Sequence, residues 1–517
     1  MENSSDTNTK RIAKNTLMLY FRQILIMLVS LYTVRVVLRV LGAEDYGIYN
    51  VVAGVVTMFS FLSGAMATAS QRYFSFHLGK NDTKQLNTVF SVTFQIYILL
   101  AIIVVVLAET FGLWFVNHKL VIPFERMTAA NWIFQVAIIS FLLTLITTPY
   151  MASIIAHENM NVYAYVSIVE AGLKLGIVFL IKVLPYDKLI VYGILLTTVA
   201  FINTSIYRLY CHKHYTECKF HFEKNGALFK EIVNYSGWNL FGGVAAVAKV
   251  QLINVLLNLF FGPIVNAARG VAAQINNAVS SFSQNFSMAI RPQIIKNYAS
   301  QNYDECYDLV LKGSRFTFYL MFLFTCPLLI ELPFVLKLWL DNVPDNTVLF
   351  TRLLLIEVLI DSFSYPVMTL SKATGKIRLY QGVVGGVQIM NLPVSFIVLK
   401  LGAPAYSVMV IGIIFAIIAT FCRLFIVKLL TKLSVLMFFK KVIIPCIVIL
   451  LLSIILPILF HMYILQYQKN NLAFLNIIFT VFIEIIVIMF LGLKKQERVL
   501  IINKIKEKLG VKNVLQD

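Results

Sequence analysis

Charged residues are scarce in this sequence. Asp, Glu, Lys and Arg make up only 13% of the 517 residues, whereas apolar residues make up 59% and the mean hydropathy is +0.80. This composition excludes a water-soluble globular protein and predicts a membrane protein. Acids are scarcer than bases, and the net charge of +19 is typical of a membrane protein whose cytoplasmic loops carry excess Lys and Arg. We therefore expect no nucleic-acid partner.

The sequence also lacks the motifs of several enzyme classes. It contains no Gly-Lys-Ser/Thr phosphate-binding loop, which excludes ATP as the direct energy source. No Ser/His/Asp or Cys/His arrangement indicates nucleophilic catalysis, and the six cysteines lack disulfide spacing, so we expect free thiols. The segment from Cys211 to His221 fits no standard zinc spacing and favours a basic loop over a metal site. We predict neither an enzyme nor a resident cofactor or metal.

Long apolar segments, by contrast, occupy most of the chain. We predict an all-α membrane protein with fourteen transmembrane helices, each of them long enough to cross a hydrocarbon core. The predicted spans are 15–41, 46–69, 88–116, 128–155, 161–184, 189–209, 235–260, 265–290, 315–340, 347–371, 377–400, 403–427, 441–463 and 472–493.

Lys and Arg are concentrated in alternate loops. Placing the N-terminus inside assigns most of the 44 Lys and Arg residues to the cytoplasm. The outer side then receives only Lys119, Arg126, Lys188, Lys400 and Lys469. Because the number of spans is even, we predict that both termini lie in the cytoplasm. The tail after Leu493 is either a basic amphipathic helix on the inner leaflet or a solvated basic segment.

An internal repeat divides the chain. Residues 38–82 have the same plan as residues 258–302, with Gln71-Arg72 at the position of Arg291-Pro292. We predict two six-helix lobes that enclose a central cavity, related by an axis along the membrane normal, followed by two further helices. The predicted domains are an N-terminal lobe at 1–209, a cytoplasmic linker at 210–234, a C-terminal lobe at 235–430, spans 13 and 14 at 431–493, and a basic cytoplasmic tail at 494–517.

Cations at membrane depth are the first candidates for a functional site, because ionisable side chains there are costly and usually face a cavity. Arg39, Lys182, Lys337 and Arg423 lie near span ends, so we interpret them as side chains that reach the interface. The deeper candidates for a cationic cavity are Arg22, Arg35, Lys174, Lys249 and Arg269. Lys249 has no acid within four residues on its helix, and we favour an anionic substrate over an acid from another helix as its partner. Phosphates pair well with such a lining.

Three acids are candidates for ion coupling. Glu170 and Lys174 are four residues apart, so they form either a self-neutralised pair or part of a functional site. Glu357 and Asp361 have the same spacing and like charge. One of these two should be protonated at neutral pH unless a cation lies between them, and Arg352 is positioned to neutralise Glu357.

Several motifs resemble those of a known family. They are Leu41-Gly42 with Tyr46-Gly47-Ile48-Tyr49, then Gln71-Arg72-Tyr73, and Leu338-Trp339-Leu340 with Val343-Pro344. The sequence resembles the polysaccharide transporter family, the Wzx-type flippases of the MOP superfamily, over essentially its whole length. The resemblance implies a flippase of the bacterial inner membrane for undecaprenyl-diphosphate-linked oligosaccharides, either O-antigen or capsule repeat units. It further implies a V-shaped cationic cavity that opens alternately to each side of the membrane.

Amide side chains are candidates for contacts with the glycan. Span 8 is rich in Asn, Gln and Ser, which indicates either glycan binding or hydrogen bonds between helices. The glycan-contacting candidates are Asn254, Gln274, Asn277 and Gln284.

Three other functions stay open at this point. They are a MATE-type cation or drug antiporter, a lipid II flippase of peptidoglycan synthesis, and a membrane glycan polymerase or ligase. Span 1 carries Arg22 and Arg35 but no acid, which argues against cation export, and the short outer loops argue against a polymerase. The choice between proton and sodium coupling also stays open. We expect a monomer that contacts membrane lipid and the glycan polymerase machinery.

Overall fold

The chain folds into helices throughout the part that the structure describes. This structure is a computed structural model that describes residues 2–57, 59–118, 120, 122–340, 343–466, 472–494 and 497–499, and no β-strand occurs in these ranges. The α-helices are α1 (Glu2–Thr57), α2 (Ser60–Gly79), α3 (Thr83–Leu107), α4 (Leu113–His118), α5 (Met127–Ala156), α6 (Met160–Val183), α7 (Lys188–His214), α8 (Gly226–Ala299), α9 (Tyr303–Trp339), α10 (Thr347–Ser362), α11 (Ser364–Ala373), α12 (Ile377–Lys400), α13 (Ser407–Leu430), α14 (Val435–Phe438), α15 (Ile444–Gln466) and α16 (Ala473–Val487).

Membrane-spanning length is common among these helices. Within the described ranges, nine helices are long and apolar enough to cross a membrane, and a tenth span results if α10 and α11, which meet at 42°, form one bent span. Short π-helical segments join α3 to α4 and α14 to α15, so each of these pairs forms one long span. The all-helical, multi-pass architecture is confirmed, and the number of fourteen spans stays a prediction.

The first two predicted spans have different limits in the structure. The break in α1 lies at Gly42, directly after the predicted end of the first span at residue 41, and its φ of 82° favours glycine. Helix α1 then continues to Thr57, and α2 extends to Gly79, beyond the predicted end at residue 69. The polar segment at Gln71 and Arg72 does not end the helix, because both side chains are buried against protein.

Helix α8 contains both of the spans predicted at 235–260 and 265–290. It is a single helical element of 74 residues, yet Arg269 donates a hydrogen bond to Asn254. On a straight helix these residues would be about 22 Å apart, since each residue adds about 1.5 Å. Helix α8 therefore turns back on itself between them. The same reversal packs Ala268 and Ala272 against Ile253 and Leu257 in one apolar cluster.

The described chain divides into two compact units. Unit 1 comprises Met1–Ala246, Met288–Cys306 and Thr369–Gly385. In unit 1, α5 packs against α1, α2, α3 and α7, and α1 also packs along α6. The core of unit 1 contains the buried rings of Phe74, Phe90, Tyr97, Phe134 and Tyr150. The division into two six-helix lobes stays a prediction.

Unit 2 comprises Val247–Ser287, Tyr307–Met368 and Gly386–Asp517. Its helix pairs include α10 with α13 and α15 with α16. Glu331, at a kink of α9, accepts hydrogen bonds from His461 of α15 at 2.7 Å and from Asn476 of α16 at 2.6 Å. Leu451, Ile455 and other large apolar side chains of α15 are exposed, as expected for a helix that faces lipid.

Two sets of ion pairs link residues at or near the ends of helices in unit 1. Arg126 binds Asp45 and Asp187, each at 2.6 Å, which joins three connections predicted to lie outside the cell. Burial alone would raise the pKa of Asp187, but its hydrogen bonds from Arg126 and from backbone amides lower that pKa overall. The second set centres on Glu158, which binds Arg11 and Lys296 at 2.8 Å each, and these residues were predicted to be cytoplasmic. The segregation of the two sets agrees with the predicted alternation of loops.

Candidate functional site

Charged side chains of unit 1 converge on one cavity. The cavity has a volume of about 570 Å³ and lies among α1, α5, α6 and α7. Its lining includes Arg22 from α1, Glu170 and Lys174 from α6, and Asn203 from α7. Tyr163, Glu170 and Lys174 share one face of α6. Tyr163 and Glu170 are about two helical turns apart, and Glu170 and Lys174 are about one turn apart. Three candidates from the sequence therefore line a single cavity.

The three charged groups of this cavity have different partners. Lys174 Nζ lies 2.7 Å from Glu170 Oε1, and Asn203 donates to the other carboxylate oxygen at 3.0 Å. The Arg22 guanidinium stacks on the ring of Tyr163 at 4.5 Å, and its buried Nε has no hydrogen-bond acceptor among the described residues. The cavity thus contains two cations and one carboxylate, and one of the cations, Arg22, has an unused hydrogen-bond donor.

This arrangement suits the binding of an anion. A buried donor without an acceptor is costly, and a phosphate oxygen would satisfy the Arg22 Nε. Hydroxyl groups of Thr144, Thr148 and Ser167 also line the cavity and would contact polar parts of a ligand. Asn203 and Tyr163 complete the site but were not among our candidates. The recurrence of Tyr163 as Tyr380 in the second repeat was the signal available for one of them.

Lys249 has a protein partner in unit 2. Its Nζ lies 2.6 Å from Glu357 Oε1, and both side chains are largely buried, with 19% and 13% of their surface exposed. The expectation that an anionic substrate neutralises Lys249 is therefore wrong for this structure. The partner comes from α10, which is 108 residues further along the chain, so it is absent from any local pattern.

Asp361 is also neutralised by a cation from another helix. Arg423 of α13 lies 2.9 Å from Asp361 Oδ1, and the arginine is buried. Placing Arg423 at the interface was therefore wrong, whereas Arg39, Lys182 and Lys337 are exposed as expected. Arg352 does not neutralise Glu357; it donates to the carbonyl oxygen of Leu329 at 3.0 Å. Glu357 and Asp361 thus each pair with a cation from a different helix.

Arg269 is buried in unit 2 beside the same acid. It donates to the side chain of Asn254, and Glu357 attracts it electrostatically. Asn254 is therefore used within the protein, as a partner of Arg269. Gln274, Asn277 and Gln284 are exposed on α8 and make no hydrogen bond with other described residues, so their amides are available to a ligand. Arg35 lies on α1, but its side chain is outside the described residues.

The comparison with known families gives one match. The family described as "Polysaccharide biosynthesis protein" matches residues 12–297, which is more than half of the chain. No curated protein matches the chain.

Several solved structures superpose on most of this chain. A MATE crystal structure in the bent conformation superposes with a TM-score of 0.71 at 12% identity, covering 82% of this chain and 96% of that one. An outward-facing multidrug resistance MATE transporter of the MOP superfamily superposes with a TM-score of 0.70 at 13% identity, covering 82% and 97%. A MOP superfamily transporter from Pyrococcus furiosus, reported to have a binding pocket of reversed polarity, matches with a TM-score of 0.61 at 11% identity, covering 82% and 97%. At these identities the likeness establishes the fold alone.

Proposed function

Because the chain belongs to the polysaccharide biosynthesis protein family, we propose that it is a flippase for undecaprenyl-diphosphate-linked oligosaccharide repeat units. Its family and fold are those of membrane transporters. The observation that carries the proposal is the cavity of unit 1, where Arg22 and Lys174 outnumber Glu170 and Arg22 keeps an unused donor. The proposed location is the bacterial inner membrane, with both termini in the cytoplasm.

A diphosphate is the part of the substrate that this cavity would bind. Guanidinium groups form bidentate hydrogen bonds to phosphate oxygens, and the low dielectric of a membrane interior strengthens such pairs. The exposed amides of Gln274, Asn277 and Gln284 are proposed glycan contacts, because amides donate and accept hydrogen bonds with sugar hydroxyls. Movement would follow alternating access, in which the binding groups are exposed to one side of the membrane at a time.

Glu170 is the best placed of the three acids for coupling to an ion gradient. It lines the cavity and holds Lys174, so a proton or sodium ion on its carboxylate would release the ammonium for an anionic substrate. Glu357 and Asp361 already bind Lys249 and Arg423. In this proposal the gradient controls how many free cations the cavity presents. A MATE-type antiporter shares the fold, but the positive charge of this cavity favours an anion over a cation as the substrate.

The test is translocation in proteoliposomes that contain the purified protein. A short oligosaccharide on undecaprenyl diphosphate carries a fluorophore, and a membrane-impermeant quencher reports which leaflet contains it. We expect Arg22→Gln to slow translocation about ten-fold or more, because a charge-assisted hydrogen bond contributes about 1.5–3 kcal/mol. Lys182→Gln is the matched control, since Lys182 is an exposed cation at the end of α6 that does not line the cavity.

Three outcomes would separate the candidate functions. Translocation that requires Arg22, with or without a proton or sodium gradient, supports the flippase. Efficient movement of lipid II in place of the oligosaccharide substrate would assign the protein to peptidoglycan synthesis. If the protein moves neither lipid but exchanges a soluble organic cation for protons or sodium, it is an antiporter and the proposal is wrong.

A further inference from the structure

A second group of cations lies in unit 1, away from the residues that line the cavity. It comprises Arg72 near the end of α2, Arg291 in the last turns of α8 and Lys372 in the last turn of α11, and we call it the basic cluster. None of the three residues lines the cavity with Arg22. In the sequence, Arg72 and Arg291 occupy the corresponding ends of the two copies of the internal repeat. The fold brings these two ends of the repeat together, since Arg291 contacts Gln71, the neighbour of Arg72.

Arg72 is enclosed by aromatic rings. Its guanidinium lies 4.5 Å from the ring centre of Tyr73, 5.0 Å from that of Phe76 and 5.2 Å from that of Tyr235. One terminal nitrogen lies 3.5 Å from the carbonyl oxygen of Ala373, while the buried Nε has no acceptor among the described residues. Such stacking holds the guanidinium in a fixed plane, and the buried Nε keeps an unused donor.

Arg291 and Lys372 add two more positive charges. Arg291 donates to the neutral amide of Gln71 at 3.0 Å. The backbone carbonyl of Lys372 accepts a hydrogen bond at 3.3 Å from Tyr235, whose ring lies against Arg72, and Arg291 repels the Lys372 ammonium electrostatically. Neither cation forms an ion pair with an acid in the described part of the chain. Glu231 reaches this region through Tyr73, whose hydroxyl donates to it at 2.9 Å. The basic cluster thus has three positive charges that no carboxylate of the described residues neutralises in an ion pair.

The arrangement is unfavourable without a further anion. Like charges repel more strongly when protein surrounds them than in water, because the effective dielectric is lower. The described residues supply Gln71 and backbone carbonyl oxygens, which are neutral acceptors. A multivalent anion would offset the repulsion and accept from the unused Arg72 Nε. Phosphates are the anions that match two guanidinium groups and one ammonium.

The depth of the cluster indicates that the phosphate belongs to a lipid. Arg72 and Arg291 lie directly after the spans predicted at 46–69 and 265–290, and Lys372 follows the span predicted at 347–371. Residues just beyond the hydrocarbon core lie at the level of lipid headgroups. By the charge asymmetry of the loops, this level belongs to the cytoplasmic leaflet.

We propose that Arg72, Arg291 and Lys372 form a binding site for the phosphate-bearing headgroup of a lipid in the cytoplasmic leaflet. The headgroup is either the diphosphate of the lipid-linked substrate, in which case the inference rests on the proposed function, or the phosphate of a membrane phospholipid. In the first case the cluster receives the substrate before it reaches the cavity that contains Arg22. In the second case the cluster anchors the protein in an anionic leaflet.

The experiment measures lipid binding to the full-length purified protein by native mass spectrometry in detergent. The probes are farnesyl diphosphate and phosphatidylglycerol, and each is titrated separately. We expect Arg291→Gln and Lys372→Gln each to weaken the binding of one probe about ten-fold, as is typical when one charge-assisted contact is lost. Lys376→Gln is the matched control, because Lys376 is an exposed cation in the same connection. It should change the affinity less than two-fold.

Thermal unfolding gives a second readout that a merely structural role would not produce. Lys372→Gln removes a repelled charge, so without ligand we expect its midpoint to equal or exceed that of the native protein. Addition of the bound probe should raise the midpoint of the native protein and of Lys376→Gln, but not that of Lys372→Gln. This comparison does not depend on Arg72, whose replacement would also remove a contact with α11.

The outcomes are distinct from those of the translocation assay. Lys372-dependent binding of farnesyl diphosphate supports a substrate site, and Lys372-dependent binding of phosphatidylglycerol supports a phospholipid site. If Lys372→Gln and Arg291→Gln bind both probes as the native protein does, the inference is wrong even where the native protein translocates the oligosaccharide. If translocation fails while Lys372-dependent binding persists, the proposed function falls and the site remains.

Discussion

Single charged residues in this protein have different significance according to their partners. Two ion pairs join helices of unit 2, one between Lys249 and Glu357 and the other between Arg423 and Asp361, and we call them closed pairs because each charge has a partner of opposite sign. Arg22 and Lys372 have no acid partner in the described part of unit 1. A closed pair stabilises helix packing, whereas a cation without a partner retains binding capacity. Position along a helix does not distinguish these cases.

The pair formed by Lys249 and Glu357 provides a prediction at this scale. Glu357→Ala should lower the free energy of unfolding by about 3 kcal/mol, because it leaves the ammonium of Lys249 buried without its partner. Combining Glu357→Leu with Lys249→Met should restore part of that stability, since the ammonium is removed and only the attraction between Glu357 and Arg269 stays lost. Thermal unfolding of the single and double variants in detergent measures both effects. Equal destabilisation by the single and double variants would contradict the ion pair.

At the scale of helices, irregular positions determine how the long apolar segments are arranged. Gly42 interrupts α1 with a φ of 82°, and prolines 327 and 333 flank the kink of α9 at Glu331. At that kink, Glu331 binds both His461 and Asn476, which attaches α15 and α16 to α9. These two helices are therefore part of the packed structure of unit 2.

Gly42 allows a direct test of the break in α1. A Cβ at this position would meet no atom within 4 Å, so Gly42→Ala introduces backbone strain without a clash. We expect this substitution to lower the free energy of unfolding by about 1–2 kcal/mol. Gly64→Ala is the matched control, because Gly64 lies within α2 and also has open space around it. It should stabilise the protein by about 0.5–1 kcal/mol. Similar thermal midpoints for the two variants would rule out strain at Gly42.

At the scale of the whole molecule, the two sets of ion pairs in unit 1 predict the sidedness of its connections. Arg126 joins Asp45 and Asp187, and Glu158 joins Arg11 and Lys296. The first set contains the connections predicted outside, and the second contains those predicted inside. We therefore expect each set to lie at one surface of the membrane.

Cysteine labelling tests this assignment. In a variant with all six native cysteines replaced by serine, Tyr186→Cys should react with a membrane-impermeant maleimide on intact cells. Gln301→Cys should react only after the cells are permeabilised, because it follows Lys296 on the predicted cytoplasmic side. Both native side chains are exposed, so accessibility within the protein does not limit either reaction. Labelling of Gln301→Cys on intact cells would reverse the topology.

The sequence by itself determined the class of the protein and much of its helical order. Hydropathy identified the spans that became α5, α6, α7 and α12 to within a few residues, because a lipid solvent requires long apolar helices. The charge asymmetry of the loops predicted which connections lie together. The spacing of Glu170 and Lys174 predicted their ion pair, because residues four apart on a helix are neighbours.

Only the tertiary structure decided which charges are neutralised and which remain available. The partner of Lys249 is 108 residues away and that of Asp361 is 62 residues away, so no local pattern reveals either pair. The reversal within α8 and the meeting of Arg72, Arg291 and Lys372 likewise depend on contacts between distant segments. The physical reason is that hydropathy and charge asymmetry act on each segment separately. Pairing of buried charges is decided by which helix faces pack together.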